Sequence, residues 1–165
     1  MTKPQPLRRL TGWLLADALL KRPGITAATG APHLARLRGM DLALALGAYW
    51  VTAGIGAAYL HDLKCGSYLR WALNSHWVTA EIGAPHLGRL TGFDLAKSLA
   101  SPWVTLEIAL PHLGRLDDSE SLMLLSADWV TKVVILRNLT PATFRNLAHD
   151  LRKHLMDQTQ GSTTG

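Results

Sequence analysis

An all-α solenoid of about five helical repeats, each of roughly 26 residues, is expected from three observations. Trp50, Trp77, Trp103 and Trp129 are each followed by Val-Thr, at intervals of 27, 26 and 26 residues. The likeness runs on past the tryptophan, since Trp77 to Leu90 reads WVTAEIGAPHLGRL, Trp103 to Leu116 reads WVTLEIALPHLGRL and Trp50 to Leu63 reads WVTAGIGAAYLHDL. Each unit also holds two short runs with apolar residues at helical spacing, separated by a turn.

The elements follow in chain order. A half-unit opens the array over residues 7–23, because Leu7-Arg8-Arg9-Leu10-Thr11-Gly12-Trp13 aligns with Leu87-Gly88-Arg89-Leu90-Thr91-Gly92-Phe93. Repeats then span 24–49, 50–76, 77–102, 103–128 and 129–157, the first of them degenerate, with Gly24 at the tryptophan position. Residues 1–157 form a single helical-repeat domain, and the apolar-free tail 158–165 is expected to be disordered.

Within a repeat, Ser101-Pro102 before Trp103 reads as an N-cap followed by proline at the first helical position, where its missing N–H costs nothing. That helix carries Val104, Ile108 and Ala109 on one face, and Pro111 is expected to end it or to start a tighter turn. Thr91 to Asp94 and Asp117 to Glu120 resemble capping boxes that start the second helix, whose apolar face is Leu95 with Leu99, or Leu122 with Leu125. A unit this short cannot bury its own apolar face. Stacking on its neighbours, with helices about 8 to 10 Å apart, makes a rod or arc on the order of 45 Å long.

Composition narrows the class. Hydrophobic residues make up 48 % and charged residues 18 %, too apolar for a disordered chain. The formal net charge of +5 and pI near 9.7 suit an acidic partner without choosing among nucleic acid, an anionic membrane and an acidic protein. A single cysteine, Cys65, excludes an intramolecular disulfide and points to a reducing, cytoplasmic setting. Asp17 interrupts the apolar stretch after Arg8 and Arg9, so no signal peptide is expected. Leu42 to Leu60 carries no charge, but Gly47, Gly54 and Gly56 and its register with charged units make it a packed repeat and not a membrane span.

The final unit, Asp128-Trp-Val through Asn138-Leu-Thr-Pro141 to Leu147-Ala-His-Asp150, resembles the leucine-rich repeat variant family, with its D-W-x-V-R start, N-x-x-T-P centre and L-x-x-L-A-x-D end. The resemblance implies alternating α and 3₁₀ helices wound into a right-handed superhelix. The inner units carry Pro-His-Leu-Gly-Arg-Leu where the family has its Asn and Thr-Pro centre, and the cysteine-rich iron–sulfur segment of some members is absent. The family lends no single activity.

Equal repeats align His33, Tyr59, His86, His112 and Asn138 in one ladder and Arg36, Asp62, Arg89 and Arg115 in another. As a binding stripe, the arginine forks hold carboxylates or phosphates, with the histidines and Tyr59 beside them. As a structural device, the same residues satisfy backbone carbonyls in the turn after the proline. No metal is expected, since rings about 10 Å apart do not share an ion that needs Zn–N bonds of about 2.0 to 2.1 Å. The tryptophans offer stacking surfaces for bases, but their place next to a helix start favours packing between repeats.

No phosphate-cradling loop, G-x-S-x-G or H-E-x-x-H is present and the acids are scattered, so no catalytic residue, cofactor or enzymatic activity is expected. The expectation is a scaffold that engages another protein through its curved face, using the Arg/His ladder and exposed residues such as Tyr49, Tyr59 or Tyr68. The alternative is a nucleic-acid-binding solenoid whose arginine ladder meets phosphates. Self-association stays open, and a membrane partner is not expected.

Overall fold

Threonine of the Trp-Val-Thr motif is the residue at which each repeat's first helix begins. Thr26, Thr52 and Thr105 are extended (φ −117°, −100° and −104°) and stand as N-caps of α2 (Ala27–Leu34), α4 (Ala53–Ala57) and α8 (Leu106–Leu113). Thr79 precedes α6 (Ala80–Leu87) in the same way. Thr26 closes a capping box with Thr29, and the Thr79 hydroxyl donates to the Glu81 carboxylate at 2.8 Å. Acids at the helix N-terminus meet the positive end of the dipole.

The computed structural model describes residues 5–130 and 153, and among them every regular element is helical. Two expectations about the first helix are corrected. It does not start at Pro102 with Ser101 as cap, because the backbone turns over Pro102 and Trp103, with Val104 N–H donating to Ser101 C=O at 3.0 Å, and Thr105 is the cap. Nor does proline end it. Pro32, Pro85 and Pro111 lie inside α2, α6 and α8, where the carbonyl each leaves unbonded belongs to an exposed residue (Ala28, Glu81 or Glu107) that water can reach.

After the first helix a tight turn leads to the second. Its i to i+3 bonds recur as Leu37 N–H to Leu34 C=O (2.9 Å), Leu90 to Leu87 (3.1 Å) and Leu116 to Leu113 (3.2 Å). The second helices are α1 (Gly12–Lys21), α3 (Gly39–Leu46), α5 (Gly66–Leu73), α7 (Gly92–Leu99) and α9 (Asp118–Leu122), the last continued by a 3₁₀ turn, Met123–Ser126. Gly12, Gly39 and Gly92 open theirs with φ between 50° and 54°, a backbone state that side chains with a Cβ rarely adopt. Asp117 caps α9 in the expected box, accepting from Glu120 N–H at 2.8 Å while the Glu120 carboxylate accepts from Asp117 N–H at 2.9 Å.

The chain divides into two compact units, Met1–Ile82 and Gly83–Gly165. In the first, α3 packs between α1 and α5, and Leu15, Leu19, Leu42, Leu46, Leu69 and Leu73 are buried with Leu34, Leu37, Leu60 and Leu63. In the second, α7 packs against α9 and its 3₁₀ extension over Leu87, Leu90, Leu95, Leu99, Leu113, Leu116 and Leu124. Each buried leucine contributes about 2 kcal/mol of transfer free energy. The uncharged stretch Leu42 to Leu60 is divided between α3 and α4, and no helix among the described residues is long and apolar enough to cross a membrane. Asn138, the last repeat beyond Val130, most of the residues that carry the family resemblance, and the tail 158–165 lie outside the described residues.

Candidate functional site

Two arginines of the ladder, Arg36 and Arg115, are bonded to backbone. Arg36 Nη1 donates to Leu7 C=O (3.3 Å) and its Nη2 to Arg8 C=O (3.4 Å) and Leu10 C=O (2.5 Å), all on the 3₁₀ turn Leu7–Arg9 and its end. Arg115 repeats the pattern in the second unit, donating to Leu87 C=O (3.4 Å), Gly88 C=O (3.3 Å) and Leu90 C=O. Leu7 and Leu87 C=O also accept the turn's own i to i+3 bonds, from Leu10 and Leu90 N–H at 3.1 Å each, so the guanidinium takes their second lone pair along with neighbouring carbonyls of the same turn. One guanidinium thus joins its own repeat to the preceding one.

The histidines stand beside these arginines, three residues earlier. Nη1 of Arg36, Arg89 and Arg115 lies 3.1, 3.1 and 3.2 Å from Nδ1 of His33, His86 and His112. A guanidinium only donates, so Nδ1 is the acceptor in each pair. Burial, and then the Arg115 charge, hold the His112 imidazole below its ordinary value. Tyr59, at the histidine position of its repeat, is half-buried after α4.

The tryptophan ladder is equally internal. Trp50 Nε1 donates to Leu19 C=O (2.8 Å), Trp77 to Leu46 C=O (2.7 Å) and Trp129 to Leu99 C=O (2.8 Å), each capping the end of the preceding repeat's second helix. The indoles lie flat on a glycine of the preceding first helix. A Cβ on Gly30 would stand 2.7 Å from Trp50, one on Gly83 2.5 Å from Trp103, and one on Gly56 closer still to Trp77. Buried this way, Trp50, Trp77 and Trp129 present no face to a base.

The accessible apolar surface lies elsewhere. Trp13 (53 % exposed) and Leu14 (64 %) on α1, Met40 on α3 and Trp71 (41 %) on α5 project from three adjacent helices of the first unit, and Phe93 is exposed on α7 in the second. Trp13, Met40 and Phe93 share one register position, each directly after the glycine that opens its helix. Trp71 stands four residues beyond that position, on the same helical face. None of these was expected as a site residue, although their common position after glycine was there to be read. Of the tyrosines expected as anchors, Tyr49 is exposed, with its hydroxyl donating to Ile25 C=O at 2.7 Å, and Tyr68 is half-buried.

One repeat departs from the ladders, and a cavity of about 400 Å³ stands there, lined by Arg38, Gly39, Asp62, Lys64, Cys65 and Tyr68. Asp62 occupies the ladder position of Arg36, Arg89 and Arg115, and pairs instead with His61 at 3.1 Å. Where a ladder arginine would bond back to the preceding turn, Arg38 of that turn bonds its own carbonyls, Nη1 donating to Ala35 C=O (2.8 Å) and Leu37 C=O (2.7 Å). A second cavity of about 310 Å³ lies in the other unit between Pro102, Thr105, Glu107, Asp128 and Trp129.

No protein-family model, curated protein or solved structure matches the chain.

Proposed function

We propose that the chain is a non-enzymatic helical-repeat scaffold that binds another protein. Its repeats stack as a right-handed α-solenoid of about five units, the arrangement implied by the resemblance to the leucine-rich repeat variant family. The recurring Trp-to-carbonyl and Arg-to-carbonyl bonds between successive repeats support that stacking.

The observation that carries the binding role is the exposed set Trp13, Leu14, Met40 and Trp71 on neighbouring helices of one unit. Large aromatic and aliphatic side chains grouped on a surface are the usual anchors of protein interfaces. Of the arginine forks expected to hold the partner, those of Arg36 and Arg115 bond carbonyls of the preceding repeat, which favours this helical face as the contact. The same commitment weighs against the nucleic-acid alternative, because a fork that already serves three carbonyls has few donors left for phosphate.

The double variant Trp13→Ser/Trp71→Ser tests the proposal. Both side chains are exposed, so the melting temperature should hold within a few degrees while a protein retained by the wild type from cell extract is lost. Unaltered retention by the variant would place the contact elsewhere.

A further inference from the structure

The interval of 27 residues between Trp50 and Trp77, against 26 for the next two, comes from one inserted residue. One residue separates the leucine that ends the turn from the start of the second helix at Thr11, Arg38, Thr91 and Asp117, but two, Lys64 and Cys65, stand between Leu63 and Gly66. The insertion borders the cavity whose ladder arginine is replaced by Asp62. Tyr68 is a further departure. Asp41, Asp94 and Glu120 hold its register position in other repeats, and its ring lies over Gly39, where a Cβ would stand 3.5 Å from it. Three independent exceptions to the repeat thus meet in one place, and each changes the cavity lining.

We propose that this cavity captures the C-terminal residue of a peptide chain. Its lining carries two cations, Arg38 and Lys64, and one carboxylate, Asp62, so an anion is favoured, but one that also offers a hydrogen-bond donor. Lys64 is exposed and makes no ion pair with any described residue, while Arg38 has only Nη1 engaged and keeps Nη2 and Nε. A chain-terminal residue supplies what this set asks for on adjacent atoms. Its α-carboxylate faces Lys64 and Arg38, its N–H faces Asp62, and an apolar side chain lies against the Tyr68 ring. Capture of terminal carboxylates is a recurring mode of peptide recognition. A cavity of about 400 Å³ is at the small end of ligand sites. This goes beyond the apolar face of α1, α3 and α5 and does not depend on it.

Cys65 makes the test direct, being exposed, on the cavity wall and the chain's only cysteine. The probe is acetyl-Ala-Leu with a free carboxylate, compared with its C-terminal amide, added to the full chain while alkylation of Cys65 by iodoacetamide is followed. The acid should slow alkylation and the amide should need roughly tenfold more to do the same, the loss expected for one charge-assisted contact. Lys64→Gln, an exposed change, should bring the acid's effect down to that of the amide. Trp13→Ser/Trp71→Ser should leave protection intact, which separates this site from the apolar face. Equal protection by acid and amide, full protection by inorganic phosphate or by a peptide with an internal glutamate and amidated end, or an unaltered response in Lys64→Gln would each overturn the proposal.

Discussion

His112 shows how a side chain's chemistry follows from its partner. Arg115 Nη1 needs an unprotonated Nδ1, and burial disfavours the cation further, so the folded state resists protonation of this ring. Linkage sets the sign. Above the ordinary histidine value of about 6.5 both states are neutral and the group contributes nothing to pH dependence. As pH falls below it, the unfolded chain takes up a proton that the folded chain resists, and stability declines until the lowered folded value is passed. Thermal melts between pH 7.5 and 5 should show this decline, and His112→Gln, whose side-chain oxygen still accepts from Arg115, should flatten part of it. Identical pH profiles for the two proteins would contradict the assignment.

Elements meet through the pairing of a glycine on one first helix with the indole of the next repeat. Gly56 and Trp77 are the tightest pair, and the indole is tethered there by its Nε1 bond to the Leu46 carbonyl, which limits its retreat. Gly56→Ala should therefore cost about 1 to 3 kcal/mol, the usual penalty of overpacking, even though alanine is the better helix former. Chemical denaturation would read this directly, and a stabilised variant would mean that the ring has room to move. This pairing was half legible in the sequence. The recurrence of Trp50, Trp77, Trp103 and Trp129 was plain, and packing between repeats followed from their position. Their glycine partners, twenty or so residues earlier, carried no side-chain signal. The start of the first helix was misplaced, with Ser101 read as the cap where Thr105 holds that position, for the same reason, since the backbone of Pro102-Trp103 turns while the indole packs against Gly83.

For the whole molecule, the helical class and the paired helices of the described repeats were readable, because periodicity and turn residues are local. The candidate site was less so. Spacing alone aligned Arg36 and Arg115, but their acceptors are backbone carbonyls 25 to 29 residues earlier, which any sequence supplies. Trp13, Met40 and Trp71 have the spacing of core residues, and only packing shows that they face solvent. The central claim is that the arginine ladder fastens repeats together and leaves binding to other surfaces. Arg115→Lys tests it most directly, because it keeps the charge and removes the planar fork. Melting temperature and salt-stepped retention on mixed DNA and RNA are measured together on this variant and the wild type. The account predicts a melting temperature lower by several degrees, for a loss of about 1 to 2 kcal/mol, with nucleic-acid retention unchanged. An unchanged melting temperature together with weakened retention at every salt step would contradict it and make the ladder a phosphate track.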